Sequence, residues 1–288
     1  MTTLPKPRAA ATPARRIPAP CLLALALLAF APRAAHAAQP TGLRIEGTSF
    51  VVETSDGTEL RSPDLVGAML TLAVHGRMQT VRIDSVEHDP LDRNLSGAPA
   101  DRVWLHSFSM QLADGTWHPV CGPDPEGRRT GFPLAGRTGP GYRLLPAPPG
   151  EFEIVCSNGG PGKCARFGYH PWRTTPEGVA LRPFYNACIL MVRGDYAGTD
   201  APKTRDGMSI DVNDALGMQP PEFDPELHFE AGWTEEGAVC VAHPRVRENA
   251  TLAQLEAEIP RLRGRTGAVC TEEFARSHGA LILNRSRP

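Results

Sequence analysis

The sequence predicts a β-rich α+β fold: antiparallel sheets built from hairpins, one or two packed helices, and disulfide staples. Three observations predict it. Apolar and polar residues alternate in short runs broken by Asp-Gly turns, two separate stretches have helical periodicity with suitable ends, and six cysteines follow an N-terminal export signal.

Residues 1–37 read as a signal peptide. Arg8, Arg15 and Arg16 stand without an acid, an apolar run covers Cys21 to Phe30, and Ala35-His36-Ala37 precedes Ala38. The run is well short of the roughly 20 apolar residues that a membrane-spanning helix needs. Cys21 stands at the start of the run, where a lipoprotein cysteine would follow it, so lipid anchoring is not expected. Arg15-Arg16 raises the twin-arginine route, but Ile17-Pro18-Ala19 lacks the usual flanks. Cleavage after Ala37 removes five basic residues and no acid, which takes the formal balance from −2 to −7. An acidic protein without a dense Lys/Arg stripe is a poor partner for nucleic acid. The expected compartment is the periplasm or the extracellular space, with no membrane span after signal removal.

Strand signals dominate the first half of what remains. Leu43 and Ile45 alternate with Arg44 and Glu46, Val81 and Ile83 with Arg82 and Asp84, and Asp56-Gly57 and Asp114-Gly115 mark tight turns. Phe152, Ile154 and Cys156 share a strand face. Leu227, Phe229, Ala231 and Trp233 share another, with His228 and Glu230 opposite, and a turn at 234–237 returns the chain as a hairpin carrying Cys240. The first helix spans about 183–193: Pro183 suits a first turn, Phe184, Cys188, Met191 and Val192 form one apolar face, and Gly194 ends it. The second, near 252–259, opens on the capping box Thr251-Leu252-Ala253-Gln254, buries Leu252, Leu255 and Ile259, and stops at Pro260. Pro- and Gly-rich stretches at 121–141 and 146–150 read as loops. A domain boundary is expected near residue 100, separating an N-terminal β-rich region (38–100) from a second domain (101–288), or near 148.

Export into an oxidising compartment makes three disulfides the expected state of Cys121, Cys156, Cys164, Cys188, Cys240 and Cys270. The sequence does not choose among the possible connectivities. Cys156 and Cys164 flank Gly159-Gly160-Pro161-Gly162, a turn that would bring them together, and this pair is the one favoured. Zinc is disfavoured because no C-x-x-C spacing occurs.

Arg193-Gly194-Asp195-Tyr196-Ala197-Gly198, followed by Thr204-Arg205-Asp206-Gly207-Met208-Ser209-Ile210-Asp211, resembles the signature of the ADYC-domain family. Its bacterial exported members carry an Ala-Asp-Tyr-Cys run and a Thr-x-x-Gly-x-x-Ile-Asp stretch. Trp117 to Cys121, Lys163-Cys164 with Gly168 to Trp172, and Phe229 to Trp233 with Gly237 to Cys240 are similar to further pieces of that family. The resemblance implies export and disulfides and no assigned reaction. Gly194 and Ala197 depart from the pattern; a nucleophilic cysteine in relatives would have no counterpart in Ala197. A further structural disulfide in relatives is the simpler account.

No catalytic motif is present: no G-x-S-x-G, no H-E-x-x-H, no phosphate-binding glycine loop. The residues singled out for binding are Asp195, Tyr196, Thr204, Asp206, Gly207, Asp211 and Asp214, in a turn-rich acidic segment. Asp residues in such loops commonly satisfy their own backbone. A calcium site is the sharper alternative for the same carboxylates, although their spacing does not fit an EF-hand loop. The expected function is an exported binding or structural module without a required cofactor. The alternative is an exported hydrolase working through Asp195 and Asp211 with His170.

Overall fold

The computed structural model describes residues 38–74, 76–90, 92, 102–222 and 224–288. The export signal expected at 1–37 and a boundary near residue 100 fall outside these residues.

Among the described residues four antiparallel sheets form the frame. Strands β1 (Pro40–Glu46), β2 (Ser49–Thr54) and β3 (Glu59–Arg61) make an N-terminal three-stranded meander. The largest sheet runs β11-β8-β6-β5-β4, built from β4 (Met69–Val74), β5 (Arg77–His88), β6 (Trp104–Gln111), β8 (Thr130–Ala135) and β11 (Phe152–Cys156), with β7 (Trp117–Pro119) paired to β6. Its strands come from both sides of residue 100 and of residue 148. The short pair β9 (Arg137–Thr138) and β10 (Leu144–Leu145) follows β8. The expected Asp-Gly turns sit where they were read, joining β2 to β3 and β6 to β7.

The loop expected over 121–141 contains a strand instead. Phe132 and Leu134 alternate inward along β8, and Pro133, which has no N–H to give, pairs with Ile154 where the β6 pairing has already ended at Gly131.

Both faces of the large sheet are covered. Val81, Ile83, Phe108, Phe152 and Ile154 pack with Phe50 of the N-terminal meander, while Leu105, Phe132, Leu134 and Val155 face helix α2 (Arg182–Arg193). Every residue of α2 from Phe184 to Met191 is buried. The one-sided amphipathic helix read from the sequence is therefore a core helix enclosed on all sides, with arginines only at its ends. Gly194 ends it with φ +58°, as expected. A shorter helix, α1 (Gly160–Arg166), packs against it.

On the far side of α2 lies a four-stranded sheet ordered β12-β15-β13-β14, formed by β12 (Ile210–Asp214), β13 (His228–Thr234), β14 (Gly237–Val241) and the C-terminal β15 (Ile282–Ser286). Ala231, Trp233 and Ile282 pack toward α2, and Val239 and Leu283 pack on Ala275 of α4 (Glu272–Ser277). The single face expected for Phe229, Ala231 and Trp233 does not exist. A bulge between Phe229 and Ala231 shifts the register, sends Phe229 to the α4 side and buries Glu230 completely. Helix α3 (Leu252–Glu258) opens on the predicted capping box, with Thr251 Oγ1 accepting the Gln254 N–H at 3.2 Å.

Three disulfides form: Cys121–Cys156, Cys164–Cys188 and Cys240–Cys270. The favoured Cys156–Cys164 pair is not among them. Gly159 to Gly162 is the start of α1 and not a turn between strand ends, and Cys164 points inward to α2. Gly162 is needed at that start because a Cβ there would lie 2.2 Å from the Cys156 carbonyl oxygen. Among the described residues no helix is long and apolar enough to cross a membrane.

Candidate binding cleft

Asp195 and Tyr196 follow directly on the Gly194 cap of α2, and both are buried. A buried carboxylate is tolerated only when its lone pairs are filled. Asp195 Oδ1 accepts the backbone N–H groups of Gly198 (2.9 Å) and Thr199 (3.3 Å), and Oδ2 accepts that of Asp200 (2.7 Å). The turn folds around its own first side chain.

Tyr196 anchors a second, fully buried set. Its hydroxyl donates to Glu230 Oε1 at 2.9 Å and accepts the Arg245 backbone N–H at 3.0 Å. The Arg245 guanidinium is bidentate on Glu230, at 2.9 and 3.1 Å, and also donates to the Met191 and Val192 carbonyls at the end of α2 and to Thr204 Oγ1. Asn284 of β15 donates to Glu230 Oε2 at 2.7 Å and accepts the Trp233 indole N–H at 2.8 Å. Burial, aided by the neighbouring Glu230 carboxylate, raises the Tyr196 phenol well above its ordinary pKa, so it remains a donor.

The other singled-out residues go to different places. Asp214 accepts the N–H groups of Leu216, Met218 and Gln219 and the Tyr169 hydroxyl. Asp211 accepts the Glu222 N–H at 3.0 Å and lies 3.9 Å from Arg285. Asp206 and Gly207 form an exposed turn. His170 is buried, stacks on Trp172 at 4.8 Å, and has Nε2 4.0 Å from Asp92 Oδ1. Asp195, Asp211 and His170 thus sit on separate elements with separate partners. Among the described residues no group of three or more His, Cys, Asp or Glu is placed to hold a metal ion.

A cleft of about 570 Å³ opens beside this framework. One wall is the loop carrying Arg143 to Pro146, a second is Pro171 to Arg173, a third is the start of α2 at Arg182 and Pro183, and Glu235 closes it from the β13–β14 turn. At its base Asn186 joins two of these walls, accepting the Leu144 N–H at 2.9 Å and donating to Glu235 Oε2 at 3.2 Å. Trp172 is wedged in place: His170 stacks on it, and a Cβ on Gly47 would come within 3.3 Å of its ring. A smaller cavity of about 220 Å³, lined by His170, Leu181 and Met218, shares Arg173 and Thr174 with the cleft.

The Asp195–Gly198 turn braces two of the cleft walls. Gly141, in the loop that continues to Arg143, packs so closely on it that a Cβ would lie 2.1 Å from the Gly198 carbonyl oxygen. Gly198 in turn would bring a Cβ to 2.3 Å from the Glu236 carbonyl oxygen, in the turn that carries Glu235. Both glycines have φ near +70°, at +67° and +71°, where a side chain is strained in any case. Arg261 completes the brace by donating to the carbonyls of Tyr196, Ala197 and Ala238.

Arg143, Arg173, Arg182 and Glu235 were not singled out from the sequence. One signal was present: Arg182 immediately precedes Pro183, which places a cation in the first turn of a helix, where the helix dipole disfavours it.

The family model of the ADYC domain matches residues 62–247. No curated protein and no solved structure matches the chain.

Proposed function

This chain belongs to the ADYC-domain family, and we propose from that premise that it is an exported binding module whose family motif is a rigid support for a ligand cleft. The observation that carries the proposal is the double brace. One turn, Asp195 to Gly198, touches both the loop leading to Arg143 and the turn holding Glu235. Its carboxylate accepts three backbone N–H groups and is wholly buried, which makes it a positioning group. Catalysis through Asp195 would require breaking the turn that shapes the cleft. The cleft volume falls within the range of small-molecule sites, roughly 300–1,000 Å³.

Export is supported by the three disulfides, which persist in oxidising compartments, and by the leader pattern of residues 1–37. Mass analysis of the secreted or periplasmic protein should find Ala38 as the first residue. A full-length chain retained in the cytoplasm would refute the export half of the proposal.

The binding half is tested by NMR, following the Trp172 indole N–H while a small-molecule library is added. At least one class of compound should shift that resonance in the wild-type protein. The shift should shrink in Gly198→Ala, provided the variant keeps its folded spectrum. A library that leaves Trp172 untouched, or that shifts only resonances away from the cleft, would overturn the assignment.

A further inference from the structure

The binding proposal leaves the ligand open, and the cleft's own charge narrows it. Arg143 and Arg182 line it against the single carboxylate of Glu235, and Arg173, which has a partner of its own, is left out of the balance. That carboxylate already receives Asn186. The rest of the chain has the opposite sign, with 32 acidic and 30 basic residues overall. A local excess of positive charge in an acidic protein is a feature to be explained.

Many arginines elsewhere have an acidic partner, although exposed ones such as Arg77 and Arg263 have none among the described residues. Arg166 pairs with Asp89, Arg245 with Glu230, Arg285 with Glu272 and Arg61 with Glu46. In the cleft, Arg143 donates its Nε to the Pro140 carbonyl and has no ion pair among the described residues. Arg182 has neither a hydrogen bond nor an ion pair among them. Its position is also unfavourable in the ligand-free protein. It occupies the first turn of α2, the N-cap Leu181 supplies no side-chain acceptor, and no acidic residue lies in that turn. Dipole and guanidinium both leave positive potential at the mouth of the cleft. An anion would reverse the sign of each of these interactions at once.

Beside the polar Thr174 and Asn186, the lining has an apolar part formed by Leu145, Pro146, Pro171 and the wedged Trp172. We infer that the cleft takes an organic anion, a carboxylate head on an apolar body, with the head held by Arg182 and Arg143 and the body against Leu145, Pro146 and Trp172. Guanidiniums match planar oxyanions through paired N–H donors, which gives the head its orientation as well as its attraction. This inference rests on the binding proposal above and adds the ligand's chemical class.

The test compares isosteres: benzoate and octanoate against benzamide and octanamide, with inorganic phosphate as a head lacking a body. Each is titrated while the Trp172 indole N–H is followed by NMR. The carboxylates should bind at least roughly tenfold more tightly than their amides, and more tightly than phosphate. Arg182→Gln should weaken carboxylate binding by roughly tenfold or more while leaving the unfolding midpoint unchanged or higher, since it removes a cation from a helix start. A merely structural arginine would lower both. Amides that bind as well as carboxylates would overturn the anion inference and leave the binding proposal standing. Phosphate binding as tightly as benzoate would overturn the apolar body. If no probe moves Trp172, the anion inference is wrong, while the binding proposal is decided by the library titration.

Discussion

Removal of one oxygen at Tyr196 measures how far the family motif is architectural. In Tyr196→Phe the ring, its burial and its stacking on Trp233 at 5.2 Å are kept. What is lost is the hydroxyl, which gives a hydrogen bond to Glu230 and takes one from the Arg245 backbone N–H. The first is charge-assisted, and such a bond contributes roughly 1.5–3 kcal/mol. The second loss strands a buried donor, at a cost of about 1–3 kcal/mol. The two effects share a network and do not add fully, so a destabilisation of about 3 kcal/mol is expected. For a chain of this size that corresponds to a fall of roughly 6–12 °C in the unfolding midpoint. Denaturant unfolding followed by tryptophan fluorescence, with disulfides intact, gives the number. A double-mutant cycle with Glu230→Gln should give a coupling energy of about 1 kcal/mol or more. A Tyr196→Phe variant within about 0.5 kcal/mol of wild type would refute the claim that this hydroxyl holds the motif to the sheet.

Three further outcomes follow from the described structure. Burial lowers His106 to about 4 from 6.5, and its Nε2 contacts Ser62 Oγ at 2.8 Å. The unfolded chain therefore takes up this proton first, and stability falls as pH drops from 6.5 toward 4, by up to about 3 kcal/mol; His106→Gln should flatten that part of the pH–stability curve, and an identical curve would disprove the assignment. Cys164–Cys188 closes a loop with sequence separation 24 and ties α1 to α2, so replacing both with serine should cost about 3–4 kcal/mol in denaturant unfolding; a cost near zero would mean that the unfolded chain is not restrained by the bridge. Excess chelator should leave the melting temperature unchanged, because Asp195 and Asp214 give their oxygens to backbone N–H groups; a fall of several degrees would instead assign a cation to this segment.

The readable parts of the fold were those whose signal is local. Thr251 with Gln254, Pro183 with Gly194, and the Asp-Gly turns each encode their structure within a few residues, and each forms as read. What failed depended on distant partners. Phe229 and Trp233 alternate correctly in sequence, yet the bulge that separates them is set by pairing with β15, more than fifty residues away. The one face read for α2 left out Tyr185, Ile189 and Leu190, which are apolar and buried on its other sides, and only the enclosed Asn186 interrupts the apolar run from Phe184 to Met191. Gly159 to Gly162 looks like a turn by composition, and only packing against β11 and α2 makes it a helix start. The use of the motif carboxylates was not legible, since a carboxylate filled by its own turn and one aimed at a ligand have the same sequence. The cleft was almost invisible, because Arg143, Arg173, Arg182 and Glu235 come from four separate segments.

The position of β15 has a consequence for how the molecule comes into being. The last strand of the chain lies between β12 and β13, so the four-stranded sheet cannot close until Ile282–Ser286 has left the ribosome. Until then β12 and β13 present unpaired edges, and Glu230 lacks the Asn284 amide that completes its shell. A fragment trimmed to the matched span 62–247 would omit this central strand together with β1 to β3, and should be recovered as aggregate. Expression of the domain therefore has to run through Ser286.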